Sequence, residues 1–157
     1  MGTNSPTNST DEAFMHRAID LARQCPPSET AYSVGAVIVV DGEEIATGFS
    51  REGNDEKLHA EEAALNKLDP ADPRLTRATI YSTLEPCSTR ASKDHQPCAE
   101  RILAAGIPNV VIAWREPSLF VAACAGVDNL REAGVDVREL PDLAEQAMAP
   151  NRHLNLN

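Results

Sequence analysis

Two apolar runs joined by Asp41-Gly42 constrain the fold more than any other stretch of the chain. Gly35–Val40 and Glu44–Phe49 are rich in β-branched residues, and an Asp-Gly pair between such runs favours a tight two-residue turn. The pattern predicts a β-hairpin. Ala78–Leu84, Asn109–Trp114 and Val135–Glu139 read as three further strands, each separated from the next by a helical pattern. Strands alternating with helices require right-handed crossovers and a parallel arrangement. The expected fold is therefore a three-layer α/β/α sandwich around a five-stranded mixed sheet, with the hairpin as its antiparallel edge.

The helices have recognisable ends. Thr10 is placed to cap a helix over Asp11–Gln24, which Cys25-Pro26-Pro27 stops. His59–Leu68 is rich in Ala, Glu and Leu and ends at Asp69-Pro70. Pro97 suits the first position of a helix running to Ala105, with Gly106 beyond it. Val127–Ala133 precedes Gly134, and Pro141 opens a last helix to about Met148. Residues 1–10 read as a disordered polar lead-in, 11–150 as the domain and 151–157 as a tail.

Composition excludes several function classes. A net charge of −10 argues against a nucleic-acid partner, because a polyanion would be repelled. No apolar run approaches the roughly 20 residues of a membrane span. The first residues lack the basic and apolar regions of a secretory signal. Four cysteines are present, Cys25, Cys87, Cys98 and Cys124. An even count would allow two disulfides in a secreted protein, but nothing here points to secretion. The expected address is the cytoplasm, where cysteines beside a histidine are metal ligands or buried thiols.

Chemistry concentrates in His59-Ala60-Glu61 and in Glu85-Pro86-Cys87 with Cys98 beyond. His59 opens a helix, Cys87 follows a strand end and Cys98 stands in the first turn of the next helix. Helix N-termini carry partial positive charge, which favours a thiolate. One imidazole and two thiolates suit tetrahedral zinc and leave a fourth position open, the pattern of a catalytic site. Residues two apart lie about 200° round a helix, so Glu61 reaches the same metal only if the ion sits just off the helix start. There it serves as a general base. His95 is an alternative fourth ligand that would close the site. Glu62 reads as an exposed carboxylate complementing the helix dipole, and Cys25 and Cys124 as inert small residues. Zinc nucleobase deaminases carry His-x-Glu followed by Pro-Cys-x-x-Cys. The first half matches, but ten residues rather than two separate Cys87 from Cys98.

The chain resembles the cytidine deaminase-like superfamily and, within it, the pyrimidine deaminases of riboflavin biosynthesis. The resemblance rests on Val34–Val39 with Asp41-Gly42, His59-Ala60-Glu61 with Ala64-Leu65, and Thr83–Ser88. It continues through Pro97-Cys98, Ile102, Ala105-Gly106-Ile107, Val110-Val111, and Leu130 with Ala133-Gly134-Val135. Riboflavin members share a longer loop between the cysteines. The resemblance implies a zinc cofactor on His59, Cys87 and Cys98, addition of activated water to the ring carbon bearing an amine, and Glu61 as proton shuttle. It also implies an aminopyrimidine substrate carrying a ribosyl or ribityl phosphate, the main-chain carbonyl of Glu85 as acceptor for the leaving amine, Ser50 facing the substrate, and a homodimer or homotetramer.

Departures bear on the substrate. Many bacterial riboflavin deaminases have Asn-Pro where this chain has Ala31-Tyr32-Ser33, and His in place of Ser50. Its Thr89–His95 stretch is closer to the Arg-x-Ser loop of fungal members, and its length leaves no room for the reductase domain often fused to bacterial ones. Arg90 and Lys93 put two positive charges beside the metal, and Arg90 is the better shaped for a bidentate phosphate contact. Deaminases of a free base, a nucleoside or a secondary metabolite are the nearest alternatives. A zinc-stabilised interaction module without catalysis is the alternative of another class.

Overall fold

The computed structural model describes residues 6–29, 31–87, 97–115 and 126–154. Helix α1 (Pro6–Ala22) leads into β1 (Gly35–Val40) and β2 (Glu43–Phe49). Then follow α2 (Ala60–Leu65), β3 (Thr79–Leu84), α3 (Cys98–Ala105), β4 (Asn109–Trp114), α4 (Gly126–Glu132), β5 (Asp136–Glu139) and α5 (Ala144–Met148). The sheet order is β2-β1-β3-β4-β5. β1 is antiparallel to both β2 and β3, whereas β3, β4 and β5 are parallel. At the hairpin turn Asp41 has φ 52° and Gly42 φ 80°, the left-handed pair that a type I′ turn needs.

All six residues of β1 are buried, so this strand is covered on both faces. Ala36 and Ile38 join Ile80, Val110 and Ile112 beneath α2, α3 and α4, where Ala60, Ala64, Ile102 and Leu130 complete the layer. Val37 and Val39 point the other way, against Met15 and Ile19 of α1 and Ala147 of α5, together with Tyr81 and Val111. Alternation along the strands thus builds two cores, and the three-layer expectation holds.

Three boundaries differ from the sequence expectation. α1 begins at Pro6, a turn before Thr10, and proline is well tolerated in a first helical turn. α2 stops at Leu65 and continues only as turns. The last segment to Leu154 is not a free tail. Asn151 is buried, its Oδ1 accepting from the Ser33 amide at 2.6 Å while its Nδ2 donates to the Ser33 carbonyl at 3.1 Å. That pair fastens the C-terminal segment to the residues leading into β1. Among the described residues no helix is long and apolar enough to cross a membrane.

The start of β1 and the ends of β2, β3 and β4 lie at one end of the sheet, as the pairing register requires. In sheets with parallel strands, ligands collect beyond the carboxyl ends.

Candidate metal centre and its carboxylate

His59 is the extended N-cap residue of α2, with φ −90° and ψ 159°. It is delivered by the loop 51–58, which the Arg51 amide closes by donating to the Leu58 carbonyl at 2.8 Å. Arg51 adopts a left-handed backbone (φ 60°), and its guanidinium is buried. Its Nε and Nη2 donate to the Pro26 carbonyl, Nη1 to the Tyr32 carbonyl and Nη2 also to the Ser33 hydroxyl. Burial pushes its pKa down, and the carbonyls take the place of lost water. Nothing in the sequence pattern marks this arginine as a clamp.

Glu62 is not the exposed helix carboxylate expected. It is 3% exposed; Oε1 accepts from the His59 amide at 3.3 Å, and Oε2 pairs with Arg101 Nη2 of α3 at 2.9 Å. One side chain therefore ties together the two helix starts that carry His59 and Cys98. Burial of both elements against the sheet is what turns an exposed-looking position inward.

Cys87 lies just beyond β3, and Cys98 is the first residue of α3. The Cys98 amide donates to Cys87 Sγ at 3.2 Å, and the Ala99 amide to the Cys87 carbonyl at 3.0 Å. Amides at a helix start have no partner within the helix, so here one serves the Cys87 sulfur and the next the Cys87 carbonyl. Cys87 is held far below the ordinary thiol range, at about 4, first by hydrogen bonding with Cys98 and then by His59, against the cost of burial.

His59 Nδ1 is 3.6 Å from Cys87 Sγ and 3.5 Å from Cys98 Sγ, and the three ligand atoms all lie within 4.8 Å of one another. Zn–S bonds of about 2.3 Å and a Zn–N bond of about 2.0–2.1 Å at the tetrahedral angle place nitrogen and sulfur about 3.6 Å apart. Both nitrogen–sulfur separations match that spacing.

Glu61 is 4% exposed, and its Oε2 accepts from the Ser82 hydroxyl at 3.2 Å. Burial, with the Cys87 thiolate adding to it, raises its pKa from 4.5 to about 7, and His59 opposes the shift. A carboxyl poised there can both take and give a proton near neutral pH.

The sequence pattern of the cytidine and deoxycytidylate deaminase zinc-binding region matches residues 8–114. The chain belongs to this family. A diaminohydroxyphosphoribosylamino-pyrimidine deaminase of Schizosaccharomyces pombe is 44% identical over 133 residues, which are 82% of this chain and 31% of that protein. Riboflavin biosynthesis protein RibD of Escherichia coli K12 is 37% identical over 128 residues, 81% of this chain and 33% of that protein. The chain thus spans about a third of these relatives. RibD of Acinetobacter baumannii superimposes with a TM-score of 0.76 at 32% identity, covering 92% of this chain and 38% of that one.

Other expected site residues of this deaminase domain are placed less simply. Ser50 is buried; its hydroxyl accepts from the Val34 amide at 2.9 Å and lies 3.4 Å from the Val34 carbonyl. These bonds join the residues that flank β1 and β2 and leave one acceptor lone pair of the hydroxyl unused. The Glu85 side chain is a capping group: Oε2 accepts from the Val127 amide of α4 at 2.9 Å. Gly126 beside it must lack a side chain, since a Cβ would stand 1.9 Å from the Pro86 carbonyl oxygen. The first turn of α4 thereby braces Glu85 and Pro86, immediately before Cys87. Arg90, Lys93, His95 and Cys124 lie outside the described residues. Cys25 is apart from the trio, with Sγ 3.5 Å from the Val34 carbonyl and a pKa raised by burial. Trp114 meets Tyr32 edge-on at 5.6 Å and packs against both cores, a structural place for its ring.

Proposed function

We propose that the chain is a zinc-dependent hydrolytic deaminase of an aminopyrimidine nucleotide of the riboflavin-pathway type. The observation that carries this reading is the His–Cys–Cys trio spaced for a tetrahedral ion, with the buried carboxyl of Glu61 two residues from His59. The relatives add the substrate class, since those named above are a diaminohydroxyphosphoribosylamino-pyrimidine deaminase and riboflavin biosynthesis proteins.

In this reading His59 Nδ1, Cys87 Sγ and Cys98 Sγ hold the ion. Zinc, when bound, polarises a water and lowers its pKa towards neutrality. The overall change moves the water oxygen onto the ring carbon, breaks its bond to the exocyclic nitrogen and releases ammonia. Glu61 takes one proton from the water and passes it to the ring nitrogen, then carries the second to the departing amine. The main-chain carbonyl of Glu85 receives that amine. Arg90 meets the substrate phosphate, with Lys93 beside it. The reading extends to a homodimer or homotetramer and to a cytoplasmic address, which the reduced cysteines of the ligand set favour.

An ammonia-release screen with zinc-loaded protein tests it, across aminopyrimidine ribosyl and ribityl phosphates, cytosine, cytidine, deoxycytidylate and guanine. Turnover confined to the aminopyrimidine nucleotides is the expected result. Turnover of a base or nucleoside alone would move the substrate, and no ammonia from any of them would leave an interaction module.

A further inference from the structure

The face of β3 beneath α2 is apolar except at one position. Ile80 and Leu84 flank Ser82 on that face, and across the sheet Ser82 pairs with Ala36 of β1 and Ile112 of β4. Ser82 is 0% exposed. Burying a hydroxyl in such surroundings costs stability unless it is hydrogen-bonded. Its Oγ lies 2.8 Å from the Leu84 carbonyl and 3.2 Å from Glu61 Oε2.

We propose that Ser82 is the positioning residue for Glu61, holding Oε2 so that Oε1 is the oxygen that carries the proton. A hydroxyl has one hydrogen and Ser82 faces two acceptors. An ionised carboxylate outcompetes a neutral carbonyl, because charge-assisted bonds are roughly twice as strong. The longer contact, 3.2 Å to Oε2 against 2.8 Å to the Leu84 carbonyl, is the one that charge strengthens, and the carbonyl steadies the hydroxyl. Oε2 is then occupied on the face of β3 beneath α2. A general base gains only from an oxygen aimed at its proton, and a carboxylate free to rotate would spread its basicity over both oxygens.

The inference rests on the deaminase reading, and wild-type turnover is the control that separates the two. If wild-type protein releases no ammonia, the deaminase reading fails; if it turns over, the Ser82 variants judge the inference. Ser82→Ala should lower kcat about tenfold, a fraction of the ~10²–10⁴ that general acid–base catalysis supplies. KM should stay within twofold and zinc at one per chain, and Ser82→Thr should restore most of the turnover. Turnover within twofold of wild type in Ser82→Ala would overturn the proposal. So would zinc lost in step with turnover, or a folded Ser82→Thr as slow as Ser82→Ala. An infrared difference spectrum, Ser82→Ala minus wild type, gives a readout that needs no turnover. A carboxyl or carboxylate band that vanishes when the pair is repeated in a Glu61→Gln background is expected; absence of that band contradicts the assignment.

Discussion

Two buried carboxylates lie against neighbouring residues of β3, on opposite faces, and their surroundings could hardly differ more. Asp11 of α1 accepts from the Tyr81 hydroxyl at 2.6 Å and from Arg138 Nε and Nη2 at 3.0 and 3.2 Å. Tyr81 is pushed well above its ordinary pKa, by burial and then by Asp11. Glu61 has Ser82 as its hydrogen-bond partner and, among the described residues, no guanidinium or ammonium. Its neighbour Glu62 does have one, in Arg101. A buried carboxylate paired with a cation is held ionised and locks elements together; one whose protein partner is a hydroxyl is raised by burial. The same strand supports structure on one side and chemistry on the other.

The contrast breaks most visibly if a ligand is removed. Cys98→Ser should reduce zinc from one per chain to near zero in elemental analysis, and turnover with it, whereas Asp11→Asn should leave both within twofold. Asp11→Asn should instead cost about 2–4 kcal/mol in urea unfolding, because Arg138 loses its buried partner. Glu61→Gln should act in the opposite direction in the metal-free protein. The raised Glu61 pKa contributes stability below its ordinary 4.5, and that contribution is lost as pH rises through about 7. Unfolding midpoints of wild type and Glu61→Gln should therefore diverge across that window, with the variant the more stable above it.

Smaller effects sharpen the picture. Arg101→Met should weaken zinc binding by about 10–100-fold in chelator competition, since the Glu62 bridge between α2 and α3 orients two ligands. In metal-free protein, thiolate absorbance near 240 nm should develop well below the ordinary thiol value of 9.0, and Cys87→Ser should remove that early step. A depressed pKa contributes stability above 9.0 that is lost as pH falls through about 4, the reverse of Glu61.

The sheet was legible in the chain because its strands carry β-branched runs with clear stops: Asp41-Gly42, Pro86 and Gly106 each end an element near where the sequence places the end. His59, Glu61, Cys87 and Cys98 stood out because their residue types are costly to gather without a use. The supports did not. Glu62 has the look of any helix-start acid, and only the packing of α2 against α3 turns it inward. Ser82 is one polar residue in a strand, and Asp11 meets a partner 127 residues away. Arg51, with its carbonyl clamp, has no periodicity to betray it. Such positions are set by tertiary contacts that local pattern does not encode.

Glu61→Gln, assayed for zinc and ammonia release on the same preparation, tests the centre of the account. It should keep one zinc per chain while kcat falls by about 10²–10⁴, the worth of a positioned acid–base group. A variant that retains zinc and turns over within a few-fold of wild type would show that the proton travels by another route.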